Sequence, residues 1–142
     1  MSINFKLLSE EAAKLLSELI KIDTTNPPGN ELPAAEFIAD ILRDCGLEPI
    51  VVESEEGRGN VIVRIKGKGE GPSLLLLSHL DVVPADPEKW SFNPFSGEIK
   101  DGYVHGRGAI DCKGLVAVET ILMKLLEKSS NSDLSTLKLI VK

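Results

Sequence analysis

From its N-terminus the chain first spaces its apolar residues with the period of a helix, then changes to short, dense apolar runs. Ala12, Leu15, Leu16, Leu19 and Ile20 fall on one face of a first helix. Ser9 is placed to cap it, with Glu10 and Glu11 near the positive end of its dipole. Asn26-Pro27-Pro28-Gly29 ends it, because neither proline donates a backbone hydrogen bond and the residue before each is pushed toward extended geometry. Ala34, Phe37, Ile38, Ile41, Leu42 and Cys45 predict a second helix over 32–45. Pro33 suits its first turn and Gly46 the left-handed position beyond its end.

After Gly46 the period shortens. Pro49–Glu53 and Asn60–Lys66 are rich in Val and Ile and predict strands. A flexible turn, Gly67–Gly71, leads into Ser73–Ser78, whose run of leucines predicts a central strand covered on both faces. Asp101-Gly102 inside Ile99–His105 predicts a hairpin. Leu115, Val118, Ile121, Leu122 and Leu125 predict a third helix over 114–128. The loop Ser129–Asp133 then leads to a last apolar strand, Leu137–Val141. The order of elements is that of a layered α/β domain, with 73–78, 114–128 and 137–141 as a right-handed crossover unit. A bare apolar strand at Leu137–Val141 is expected to expose an edge that favours self-association.

Composition narrows the partners. The 142 residues are 42% hydrophobic and 27% charged, the mix of one soluble globular domain. The net charge of −6, with no Lys/Arg cluster, argues against nucleic acid or an anionic membrane surface as partner. Cys45 and Cys112 form no CxxC pair, and free thiols suit a reducing, cytoplasmic setting. Met1–Lys21 lacks the basic and apolar regions of a signal peptide, and Leu74–Leu77 is too short to cross a bilayer.

The chemistry concentrates between Ser78 and Gly114. His79 sits just past the carboxyl end of the leucine strand, the edge at which α/β sheets bind ligands. Its imidazole can ligate a metal, while Asp81, two residues on, can accept the other ring N–H. A lone His-x-Asp is more often a hydrogen-bonded loop residue. Asp111 stands at the end of Gly106-Arg107-Gly108-Ala109-Ile110-Asp111, just before the third helix. It can bridge two metal ions or simply cap that helix. The glycines do not form a nucleotide loop, because the position three after Gly108 is Asp111 and no GxxxxGK[ST] occurs. His105 reads as structural, Cys112 as a small buried hydrophobe before a soft ligand, and Trp90, Phe92 and Phe95 as residues that pack their own loop down. Ser78 and Ser91 lack a nucleophile elbow.

Several of these segments in one order form a longer pattern: His79-Leu80-Asp81-Val82-Val83-Pro84, Trp90, Asn93-Pro94-Phe95-Ser96-Gly97, Asp101-Gly102, Gly106-Arg107-Gly108, and Asp111-Cys112-Lys113-Gly114. The pattern resembles the M20 metallopeptidase family, which includes acetylornithine deacetylase, succinyl-diaminopimelate desuccinylase, aminoacylase 1 and glutamate carboxypeptidase. Asp23–Glu31 is similar to that family's first interhelical loop, so the resemblance covers essentially the whole chain.

The resemblance implies a three-layer αβα zinc-exopeptidase-like catalytic domain of α/β class, of which residues 1–142 are an incomplete N-terminal portion without the dimerisation domain. It implies His79 and Asp111 as metal ligands, Asp111 bridging two Zn2+ ions, with Co2+ as a substitute. Asp81 is the catalytic residue that orients His79, and the Asp111–Cys112 peptide is cis. The substrate is a small molecule, an N-acyl amino acid or short peptide cleaved beside a carboxylate, and the full-length enzyme is a homodimer. The family's general base, a Glu after the next strand, lies beyond Lys142. Two further expectations follow: the isolated chain is an inactive fragment that binds metal weakly or not at all, or another polypeptide completes its site.

Overall fold

The computed structural model describes residues 3–67, 71–128 and 136–142. The expected turn over 67–71 and the loop over 129–133 fall largely or wholly outside these residues. Three helices, α1 (Phe5–Lys21), α2 (Leu32–Arg43) and α3 (Lys113–Lys128), accompany a four-stranded sheet. The strands are β1 (Ile50–Glu55), β2 (Arg58–Ile65), β3 (Leu74–Ser78) and β6 (Leu137–Val141), in spatial order β1-β2-β6-β3. A small hairpin, β4 (Ile99–Lys100) and β5 (Tyr103–Val104), turns at Asp101-Gly102 as predicted. Among the described residues, no helix is long and apolar enough to cross a membrane.

β3 and β6 pair in parallel, Leu74 beside Leu137 through Ser78 beside Val141, and are joined through α3. That connection was legible in the sequence; the strand positions were not. β6, expected at an exposed edge, lies inside the sheet between β2 and β3, with Leu137, Leu139 and Val141 buried. β3, expected at the centre, is an edge strand, and Leu74, Leu75 and Leu77 are 59%, 48% and 58% exposed. An unbroken leucine run records what can be buried, not which neighbours arrive to bury it.

All three helices contribute to one core. Leu15 and Leu19 of α1, Ala35, Ile38 and Leu42 of α2, and Val116, Ala117 and Ile121 of α3 pack with Val61, Val63, Leu137, Leu139 and Val141 of the sheet. Strand alternation sends those sheet residues to the helical face and leaves the other face open. Ile50 faces Ile62, Ile62 faces Ile140, and Ile140 faces Leu77, so an apolar row crosses all four strands on the open side. The described residues therefore build two of the three expected layers.

Two helix details differ from expectation. Asn4, not Ser9, caps α1, its Oδ1 accepting from the Leu7 N–H at 3.2 Å; the helix gains a turn and Leu8 joins the core. Ser9 instead donates to the Lys6 carbonyl. In α3 the buried face is Val116, Ala117, Thr120, Ile121 and Met123, rotated from the predicted stripe, and Leu115, Val118 and Leu122 are exposed. The helix is apolar on two sides, and close packing selects the side with small residues. A Cβ on Gly114 would meet the Ala109 carbonyl oxygen at 2.3 Å.

Candidate metal centre

His79 leaves the carboxyl end of β3, and Asp111 ends the glycine loop that feeds α3. The structure brings them together: His79 Nε2 lies 2.9 Å from Asp111 Oδ1. On the other side of the ring, Nδ1 lies 3.1 Å from both the carbonyl oxygen and Oδ1 of Asp81. Asp81 is held in turn, its Oδ2 accepting from Asn26 Nδ2 at 2.9 Å. The Nδ1–H therefore donates to Asp81, which leaves Nε2 as the nitrogen that faces Asp111. The Asp111 side chain is 86% exposed, and its hydrogen bond goes to His79 rather than to a helix N–H.

The Asn26–Asp81 contact exists because two loops run side by side. Thr24, fully buried, donates from Oγ1 to the Leu80 carbonyl at 2.6 Å, and the Val82 N–H donates to the Thr24 carbonyl. Asn26 N–H then donates to the Val82 carbonyl at 2.9 Å. The Asn26–Pro27 and Pro27–Pro28 peptides are cis. The sequence marks Asn26 as a helix terminator and as part of the Asp23–Glu31 loop, but its bond to Asp81 depends on a pairing between residues far apart in the chain.

Cys112 is the third potential donor, since one donor atom from each of His79, Asp111 and Cys112 lies within 4.8 Å of the others. Its thiol is committed elsewhere. Sγ donates to the His79 carbonyl and accepts from the His79 N–H, both at 3.2 Å. Burial pushes its pKa up, against the acid-strengthening His79 backbone bond, so the protonated thiol is favoured. It latches the two ligand segments together. The Asp111–Cys112 peptide is cis, as the family resemblance implied.

Burial works to lower the His79 pKa, but the hydrogen bond to Asp111, the contact with the Asp81 carbonyl and both carboxylate charges outweigh it, and the net shift is upward. The two atoms that would grip a metal thus stand within hydrogen-bonding distance of each other. A nitrogen–oxygen donor pair, oriented by a second carboxylate and open to solvent on the Asp111 side, suits a divalent ion such as zinc. Asp111 keeps a second oxygen with which to bridge.

Other features support the centre without joining it. Ser78, just before His79, donates to Glu119 Oε2 at 2.6 Å, a buried link from β3 to α3. Lys113 is fully buried, and burial lowers its pKa to about 8 against the raising charge of Asp23. His105 sits in an aromatic group, 5.0 Å from Phe92, and Trp90 packs edge-on to Phe92 under the Arg107 guanidinium. These residues pack against one another. A cavity of about 680 Å³ runs from His79 and Asp81 along the open sheet face past Asn60 to the Arg58–Glu31 ion pair.

The profile of peptidase family M20/M25/M40 matches residues 75–142, which hold both candidate ligands. The chain belongs to the M20 peptidase family. M20 relatives match nearly throughout. A probable succinyl-diaminopimelate desuccinylase of Staphylococcus epidermidis is 33% identical over 94% of this chain and 32% of its own length. The acetylornithine deacetylase of Arabidopsis thaliana is 39% identical over 86% of this chain and 31% of its own length. Over 75% of this chain and 28% of its own length, the succinyl-diaminopimelate desuccinylase of Bradyrhizobium diazoefficiens reaches 57%. An M20 metallo-carboxypeptidase of Sulfolobus solfataricus superposes with a TM-score of 0.78 at 26% identity, over 93% of this chain and 30% of that one. Human carnosine dipeptidase 1, at 23% identity, shares the fold with a TM-score of 0.77 over 96% of this chain and 32% of that one. The chain spans about a third of the length of these proteins.

Proposed function

We propose that this chain is the N-terminal part of the catalytic domain of a zinc-dependent amidohydrolase that cleaves an amide bond next to a carboxylate. The observation that carries the reading is the His79 Nε2–Asp111 Oδ1 approach of 2.9 Å, with Asp81 fixing the far side of the ring. The desuccinylase and deacetylase relatives support an N-acyl amino acid as substrate class. When bound, zinc supplies a low-pKa water and polarises the scissile carbonyl. His79 and Asp111 would hold the ion. Asp81 keeps His79 in the tautomer that presents Nε2, and Asn26 keeps Asp81 in place. The two free thiols, Cys45 and Cys112, support a reducing, cytoplasmic compartment.

Catalysis on this reading needs polypeptide beyond these residues. Only His79 and Asp111 offer uncommitted ligand atoms to one point among the described residues, whereas catalytic zinc normally takes three protein ligands and a water. Asp81, engaged by His79 and Asn26, does not stand free as a general base. The test is zinc or cobalt titration of the protein beside an assay on N-succinyl and N-acetyl amino acids. His79→Ala and Asp111→Asn should each weaken metal uptake at least tenfold and abolish turnover in the full-length enzyme. Undiminished uptake in both variants would sink the metal reading. Turnover by the 142-residue chain alone would refute the need for a partner segment.

A further inference from the structure

Lys113 begins α3, two residues after Asp111, yet it is 0% exposed. A buried ammonium is unfavourable unless its donors are met. Here Nζ donates to the Leu19 carbonyl at 2.9 Å and the Ile22 carbonyl at 2.7 Å, at the carboxyl end of α1. Both carbonyls lie at the end of α1, where a helix runs short of its own donors and carries the negative end of its dipole, and the Leu19 carbonyl also accepts the Ile22 N–H at 3.3 Å. Asp23 adds a favourable charge. The first residue of α3 can satisfy this arrangement in one place only, against the end of α1.

That place controls both ligand segments. On one side Lys113 is continuous with Cys112 and Asp111. On the other, the end of α1 leads directly into Thr24–Asn26, which pairs with Leu80–Val82 and contacts Asp81. The lysine stem also lies against the glycine loop, its Cδ and Cγ 3.5 and 3.6 Å from where a Cβ on Gly108 would stand. One buried side chain thus spans the segment bearing Asp111 and the segment that orients His79.

We propose that Lys113 is a positioning residue of the metal centre, fixing Asp111 at chelating distance from His79 by anchoring α3 to the end of α1. The proposal rests on the assignment of His79 and Asp111 as ligands. It makes a prediction that simple loss of stability does not.

The experiment compares Lys113→Met with Leu15→Ala, a core substitution away from the ligands, in the full-length protein. Cobalt affinity is read by absorption titration, and the melting temperature is read without metal. Lys113→Met should weaken cobalt binding by about ten- to a hundredfold. Leu15→Ala, at an equal or larger fall in melting temperature, should keep affinity within about threefold of the parent, and Lys113→Arg should recover most of the loss. A Lys113→Met affinity within threefold of the parent overturns the proposal, as does an equal loss in Leu15→Ala. Should Lys113→Met not fold, Lys113→Arg against Lys113→Gln carries the same comparison. A metal-free readout separates the two ideas. The His79 ring N–H resonances of the parent should report the Asp111 contact, and Lys113→Met should lose that signature. A parent that binds no cobalt but shows this NMR change refutes the ligand assignment and leaves the positioning role standing; an unchanged NMR signature refutes the positioning role.

Discussion

At the scale of single residues, the proposed metal site sets a proton and a metal in competition for the same two atoms. The His79 pKa is raised above its ordinary 6.5, so the protonated ring stabilises the metal-free fold. That contribution is complete below the unfolded pKa and is lost as pH rises through the higher folded one. Metal binding has the opposite sign, because it needs the neutral imidazole. The metal-free melting temperature should therefore fall, and metal affinity rise, as pH climbs above histidine's ordinary value of 6.5. A pH series of thermal melts with and without zinc checks both, and parallel trends would contradict the shared-atom geometry. Asn26→Ala frees Asp81 without removing it and should weaken cobalt binding by about tenfold, less than His79→Ala does. His79, Asp81 and Asp111 were legible because each stands in a short motif whose spacing means something locally. Asn26, Ser78 and Glu119 were not, because their partners lie 55 and 41 positions away in sequence.

At the scale of elements, α3 holds the site from below. Ser78 and Glu119 join the end of β3 to the middle of α3 through one buried hydrogen bond. Glu119→Ala leaves the Ser78 hydroxyl without its acceptor and should cost about 1–3 kcal/mol of stability, read by urea denaturation. Glu119→Gln keeps an acceptor and should restore most of it. The sequence predicted α3 but chose the wrong face. Leu115, Val118 and Leu122 form a better apolar stripe on paper than Val116, Ala117 and Thr120. The buried side also carries Lys113, which bonds the end of α1, and Glu119, which bonds Ser78 of β3, and those polar contacts help to fix the rotation of the helix. Periodicity finds a helix; it does not say which of two apolar faces meets the core.

At the scale of the whole molecule, the open sheet face dominates. The row Ile50, Ile62, Ile140, Leu77 and the free edge of β3 are surfaces that water meets directly. Leu75→Lys combined with Leu77→Lys should reduce dye binding and self-association of the isolated chain. Stability should change by no more than about 0.5 kcal/mol per site, because neither side chain is in the core. Sedimentation and ANS fluorescence measure this, and unchanged self-association would place the sticky surface elsewhere. The α/β class was readable from the order of elements. Strand order was not, because no local pattern tells a leucine strand whether its neighbours arrive on one side or two.

The place of β6 has a consequence for how the protein is made. The strand that comes last of these in the sequence is the one that stands between β2 and β3. A ribosome that has released residues up to the end of α3 has delivered His79, Asp81 and Asp111. At that moment β3 has no neighbour, and the β1–β2 hairpin is separate from it. The ligands are synthesised early and organised late, when β6 slides between strands already waiting. Nascent chains stalled before Leu137 should therefore be open to protease around β3, and chains stalled well past Val141 should be protected there.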